Sequence, residues 1–149
     1  MDNHRLIDEL TAARDALFET LGAVAPESMT TPGLLGEWSA RELIAHLGYW
    51  AGNATETIHR FEMGISESDD SRSVDEINET VARVARQTGM ATVLKREQAS
   101  FDALIERLKA LDTSQVDAAL LEAIRADGSD HYREHATELR RILGERPHG

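Results

Sequence analysis

Near its C-terminus the chain reads DHYREHATELRR, which sets His131 and His135 four residues apart. Residues four apart are neighbours on one face of a helix. Two imidazoles so placed can reach a single metal ion. The segment is not the HExxH pattern of zinc proteases, because Glu134 precedes the second histidine and no glutamate follows the first. Leu139 and Ile142 continue the face of His135. The pair is therefore expected to point into a helical interior rather than to solvent. Buried imidazoles need partners, and a metal ion would satisfy both. A third ligand must then come from another helix.

His46, in LIAHLGYW, is the candidate, flanked by Leu43, Ile44 and Leu47. A lone histidine on such a stretch is more often a hydrogen-bonded core residue. Three inward histidines on two helices are harder to explain by packing. Three nitrogen ligands with an open fourth position make a catalytic rather than a structural arrangement. Trp50 and Asn53 lie one and two turns beyond His46 on its face and are the expected substrate contacts. Tyr49, beside that face, reads as ordinary packing. Ala45, Gly48 and Gly52 also align. They leave room either for a close helix approach or for space beside a metal. His4, His59 and His148 are expected to face solvent.

These residues need helices to carry them. Leu6, Leu10, Ala13, Leu17 and Leu21 recur at helical spacing in the first segment. After a loop rich in proline and glycine, Ser39 and Glu42 form a capping box that opens a second helix, expected to run to Phe61. Trp38 and Leu43 take the staple positions around that cap, so Trp38 is expected to be structural. Ser73 and Glu76 open a further helix, which stops or bends near Gly89. From Met90 the pattern resumes with Val93, Leu94, Phe101, Leu104, Ile105 and Leu108. A short helical segment follows, then a final helix ending near Gly144. No strand signal, repeat or domain boundary is visible. The expectation is a single all-α domain over 1–149, with four main helices forming a bundle.

Composition narrows the chemistry. The chain has no cysteine, which excludes disulfides, a cysteine nucleophile and thiolate metal ligands. A tightly held transition metal must use His, Asp or Glu. The net charge of -11 argues against a nucleic-acid or membrane-surface partner. The opening MDNHRLIDEL lacks an apolar core of signal-peptide length, and no apolar run spans a membrane. A cytoplasmic location is expected.

GEWSARELIAHLGYW resembles the second-helix signature of the DinB/YfiT-like superfamily. DHYREHATELRR is similar to its closing HxxxH helix. SVDEINETVAR is similar to the stretch after its central loop, where Asn78 recurs in position. The resemblance spans most of the chain, in the right order. It implies a four-helix bundle in up-down-down-up order. It also implies a divalent metal, zinc or nickel, held at the open end by His46, His131 and His135. Some members are thiol-dependent transferases or isomerases, including the mycothiol-dependent maleylpyruvate isomerase. Others resemble colibactin self-resistance hydrolases. Dimers are common among such proteins, so a homodimer is compatible with the reading.

The expected function is therefore a metal-dependent transferase or isomerase acting on a small electrophile. Because the chain has no thiol of its own, a low-molecular-weight thiol cosubstrate would supply the nucleophile. Arg41 or Arg133 would serve an anionic thiol. The alternatives are a metal-dependent hydrolase, with Glu42 a better-placed base than Glu134, and a non-catalytic binding bundle.

Overall fold

The computed structural model describes residues 2–65 and 67–145, so His148 lies outside the described residues. Six α-helices follow in order: α1 Asn3–Leu21, α2 Ala40–Glu62, α3 Val74–Arg86, α4 Met90–Ala110, α5 Ala118–Asp127 and α6 Ser129–Glu145. No β-strand occurs among the described residues.

The helix starts follow from capping chemistry. Asp2 accepts from the His4 amide at 2.9 Å and opens α1. Both arms of the Ser39–Glu42 capping box form, with the Ser39 amide donating to Glu42 Oε2 at 3.2 Å. Ser73 accepts from the Glu76 amide at 3.1 Å and opens α3. Asp117 accepts from the Leu120 amide at 2.7 Å and opens α5. Such caps satisfy amides that have no partner inside the helix.

Packing then follows the stripes. The expected α1 stripe of Leu6, Leu10, Ala13, Leu17 and Leu21 is buried throughout. It packs chiefly on α6, where Tyr132, Ala136 and Leu139 are buried. Helix α2 is the central element, covered by α3, α4 and α5. Its buried residues accordingly go round most of the helix, from Ala40 and Leu43 to Ala54 and Ile58. Helices α3 and α4 are separate, with Gly89 as the N-cap of the second. Both lie on α2. On α4 the apolar face is narrower than its sequence suggests: Val93, Leu104 and Leu108 are buried, but Leu94 is exposed.

One polar cluster sits inside this core. Arg14 reaches across from α1 and grips Glu97 of α4, with Nε at 2.8 Å from Oε2 and Nη2 at 2.6 Å from Oε1. The Tyr132 hydroxyl of α6 donates to the same Oε2 at 2.6 Å. Phe18 and Phe101 sandwich the guanidinium, each ring centroid 4.5 Å away. Burial, then the neighbouring Glu97 carboxylate, push the Tyr132 phenol well above its usual range. A buried carboxylate is tolerable because every charge has a partner.

Gly48 shows why α2 and α4 approach so closely. A Cβ there would stand 3.0 Å from the Glu97 Cα. At Gly52 the corresponding neighbour, Ser100 Oγ, is at an ordinary 3.8 Å. Gly48 thus serves helix approach, not space beside a metal. Gly48→Ala should cost roughly 1–3 kcal/mol, as overpacking does. Urea unfolding of the two proteins checks this, and an unchanged midpoint would count against the tight contact.

Candidate metal centre

Helix α2 presents His46 in its second turn, and α6 presents His131 in its first. What brings them together is the sharp junction between α5 and α6. Gly128 caps α5, and its amide donates to the Ile124 carbonyl at 3.0 Å. A Cβ on Gly128 would stand 2.9 Å from that carbonyl oxygen and 3.4 Å from Leu10 Cδ1. Only glycine lets α6 start so close to α1 and α5. His131 and His135 then lie along one face of α6, opposite His46.

The three rings meet edge to face. His46 and His131 centroids are 4.6 Å apart, His46 and His135 5.3 Å, and His131 and His135 4.9 Å. One nitrogen from each lies within 4.8 Å of the others, so the three could hold a metal ion. The Nε2 atoms of His46 and His131 are 2.8 Å apart, a hydrogen bond in which one must be the donor. Two nitrogens on a tetrahedral ion stand about 3.3 Å apart, given metal–nitrogen bonds of about 2.05 Å. Accepting an ion therefore asks these two rings to part by only about half an ångström.

The donor set also suits a metal in its protonation state. The Nδ1 atoms of all three histidines are buried without a hydrogen bond of normal geometry, while the Asn78 side chain stands against His46 and the Asp127 backbone against His131. Glu138 Oε1 stands 3.5 Å from His135 Nδ1. Burial, then the neighbouring histidines, hold His46 down at about 3. Burial, then His135, holds His131 at about 4. Both rings are neutral at physiological pH, the state a metal ligand requires.

A stability prediction follows for the metal-free protein. The unfolded chain takes up protons on these histidines as pH falls below 6.5, while the folded chain refuses them down to about 4 and 3. Lowered histidine pKa values therefore destabilise the fold as pH drops through that window. Between pH 7.5 and 5 the melting temperature should fall by at least about 3 °C. The fall should be smaller in His46→Leu. Equal falls in both proteins would contradict it.

Around the histidines lies a pocket of about 470 Å³, lined also by Trp38, Trp50, Val74, Asn78, Ala126 and Asp127. Trp50 is a wall, as expected, and its Nε1 donates to Asn78 Oδ1 at 2.8 Å. Asn53 is not in the lining. It stands behind it and donates to Asp127 Oδ2 at 2.8 Å. Burial raises the Asp127 carboxyl above its usual range. Trp38 is more than a staple, since its ring stands 4.9 Å from that of His46. Tyr49 belongs to a different cavity. His4 and His59 are exposed, as expected.

His131 and His135 are half-buried, their rings turned toward His46. Some expectations fail here. Glu42 is fully buried, bonded to Ser39 and 3.4 Å from Arg86, so it has no access to the pocket. Glu134 is exposed. Arg133 pairs with Asp130 at 2.9 Å, and Arg41 reaches the Thr88 carbonyl at 3.4 Å. Neither arginine lines the pocket, whose one carboxylate is Asp127. Asp127 itself went unnoticed in the sequence, although it lies four residues before His131. The intervening Gly128 hides that spacing by breaking the helix.

Two solved structures share this fold. One is an uncharacterised protein from Escherichia coli UTI89, with TM-score 0.77 and 12% identity, covering 95% of this chain and 92% of that one. The other is the colibactin self-resistance protein ClbS in complex with a dsDNA, with TM-score 0.76 and 13% identity, covering 97% of each. At such identities the likeness is one of fold. The second structure nevertheless overturns the expectation of no nucleic-acid partner. Net charge is a sum over the whole chain, whereas phosphate contacts depend on local basic residues. A total of -11 therefore excludes nothing in a fold seen holding duplex DNA. No match is found among curated protein sequences. The mycothiol maleylpyruvate isomerase N-terminal domain family matches residues 10–139, a span that contains all three histidines, and the chain belongs to that family.

Proposed function

We propose that His46, His131 and His135 hold one divalent ion, zinc or nickel, and that the pocket around it carries out thiol-dependent transfer or isomerisation of a small electrophile. The observation that carries this reading is the convergence of three nitrogen ligands in an open pocket. The family match supports the thiol. The proposal includes a cytoplasmic protein built as a four-helix bundle in up-down-down-up order.

A divalent ion in such a site lowers the pKa of a bound thiol or water, making a nucleophile at neutral pH. The chain supplies the rest. With no cysteine of its own, it must take the thiol from a cosubstrate. Asp127, held through Oδ2 by Asn53, keeps its other oxygen to accept the thiol proton. Asn53 is thus a positioning residue. Trp38 and Trp50 give the electrophile two aromatic walls, and Asn78 fixes the Trp50 ring. Sulfur adds to the electrophile. In transfer, the leaving group departs with the bonding pair and takes a proton. In isomerisation, the adduct rotates and expels the thiol unchanged.

The test is electrophile consumption by metal-loaded protein with mycothiol, bacillithiol or glutathione. Thiol-dependent turnover, lost in His46→Ala, is expected. Turnover that needs the metal but no thiol would favour a hydrolase instead. A second reading is binding without turnover, in a fold that a self-resistance protein also shows in complex with a dsDNA. Tight ligand binding that survives chelation and histidine replacement would favour that one.

A further inference from the structure

Away from the histidines, a groove of about 550 Å³ opens between α3 and α4, on the face where both lie against α2. Small residues of α2, Ala45 and Gly48, make its floor. Val81 and Val84 of α3 and Val93 of α4 make its walls. Val84 is 48% exposed and, with Val74 at the helix start, is one of two valines that α3 leaves open. Along the second half of α3 and its C-terminal end the lining runs from Thr80 to Thr88, about 12 Å at the rise of an α-helix, with Arg72 reaching in from the preceding loop.

The charges on this groove run against those of the chain. The protein carries -11 in total, yet the ionic side chains in the lining are Arg72, Arg96 and Glu97. Glu97 is spent on Arg14 and Tyr132. Arg72 is paired with Asp70 at 2.6 Å. Arg96 has no carboxylate partner among the described residues and is exposed at the mouth. The groove is therefore a long apolar trough with one uncompensated cation.

We infer that this groove is a second binding site, for an elongated apolar molecule bearing a carboxylate. Its tail would cover Val81, Val84 and Val93, and its anionic end would pair with Arg96. A second copy of the chain is a poorer occupant. A two-fold interface would set a concave face against itself and bring Arg96 towards Arg96. The site also borders the histidine pocket without belonging to it. Helix α3 contributes Val81 and Val84 to one and Asn78 to the other.

Decanoate, below its micellar concentration, is the probe, with decanol as its uncharged counterpart. Calorimetry on wild type should give saturable decanoate binding with a Kd on the order of 100 µM or tighter. Arg96→Glu should weaken decanoate at least about tenfold, a loss of the size a charge-assisted contact supplies, and leave decanol unchanged. Val84→Trp, at an exposed position that folding does not need buried, should fill the trough and abolish both. His46→Ala should change neither, which separates this site from the metal reading. Absent binding, or binding that both groove variants leave intact, would overturn the inference. So would a dimer that Val84→Trp dissociates in a protein that binds no decanoate.

Discussion

Replacing Glu97 with alanine should destabilise the protein by about 3–5 kcal/mol, the loss expected when one partner of a buried ion pair is removed. The carboxylate is 1% exposed and receives three hydrogen bonds, two from Arg14 and one from Tyr132. Its removal leaves a guanidinium between two phenyl rings with no counter-charge, and a buried phenol with no acceptor. The same change opens a cavity beside Gly48. Pairing Glu97→Leu with Arg14→Met should recover a large part of the loss, because a buried ion pair replaced whole by apolar groups is often near neutral. Chemical denaturation of the three proteins reads this out. A single variant within 1 kcal/mol of wild type would mean the cluster is solvated in solution.

His46→Ala should lower metal affinity by on the order of 100-fold or more. Losing a hydrogen-bond partner of a ligand already costs 10–100-fold, and losing a ligand costs more. His46 is the most buried of the three and the one histidine of the trio that comes from α2. Without it, His131 and His135 are a surface-type pair on one helix, with no second element to close the site. His59→Ala is the control, since that ring is exposed on the same helix and outside the pocket. Competition with a chromogenic chelator gives the comparison. Equal affinities for wild type and His46→Ala would place the ion elsewhere.

What the sequence made legible was local. The α1 stripe, the Ser39–Glu42 box and the stop at Gly89 are each written in residues a few positions apart, and each appears in the fold. The histidines were legible because two share a helix face and the third is ringed by apolar neighbours. The Glu97 cluster was not. Its members lie 35 and 83 residues apart, and a glutamate in a helix otherwise reads as surface. Asn53 pointed the right way but stops one layer short of the pocket, because its amide is taken by Asp127. Gly48 and Gly52 looked alike in sequence, and only the distance to α4 tells them apart. The charge argument against nucleic acid failed for a related reason. A total carries no information about where the charges lie.

The proposed function depends on three histidines from two helices forming one metal site. Metal content by mass spectrometry, on tag-free protein reconstituted with zinc or nickel and desalted, tests it most directly. Close to one ion per chain is expected in wild type and little in His46→Ala. Wild-type protein that retains no ion after reconstitution with either metal would contradict it.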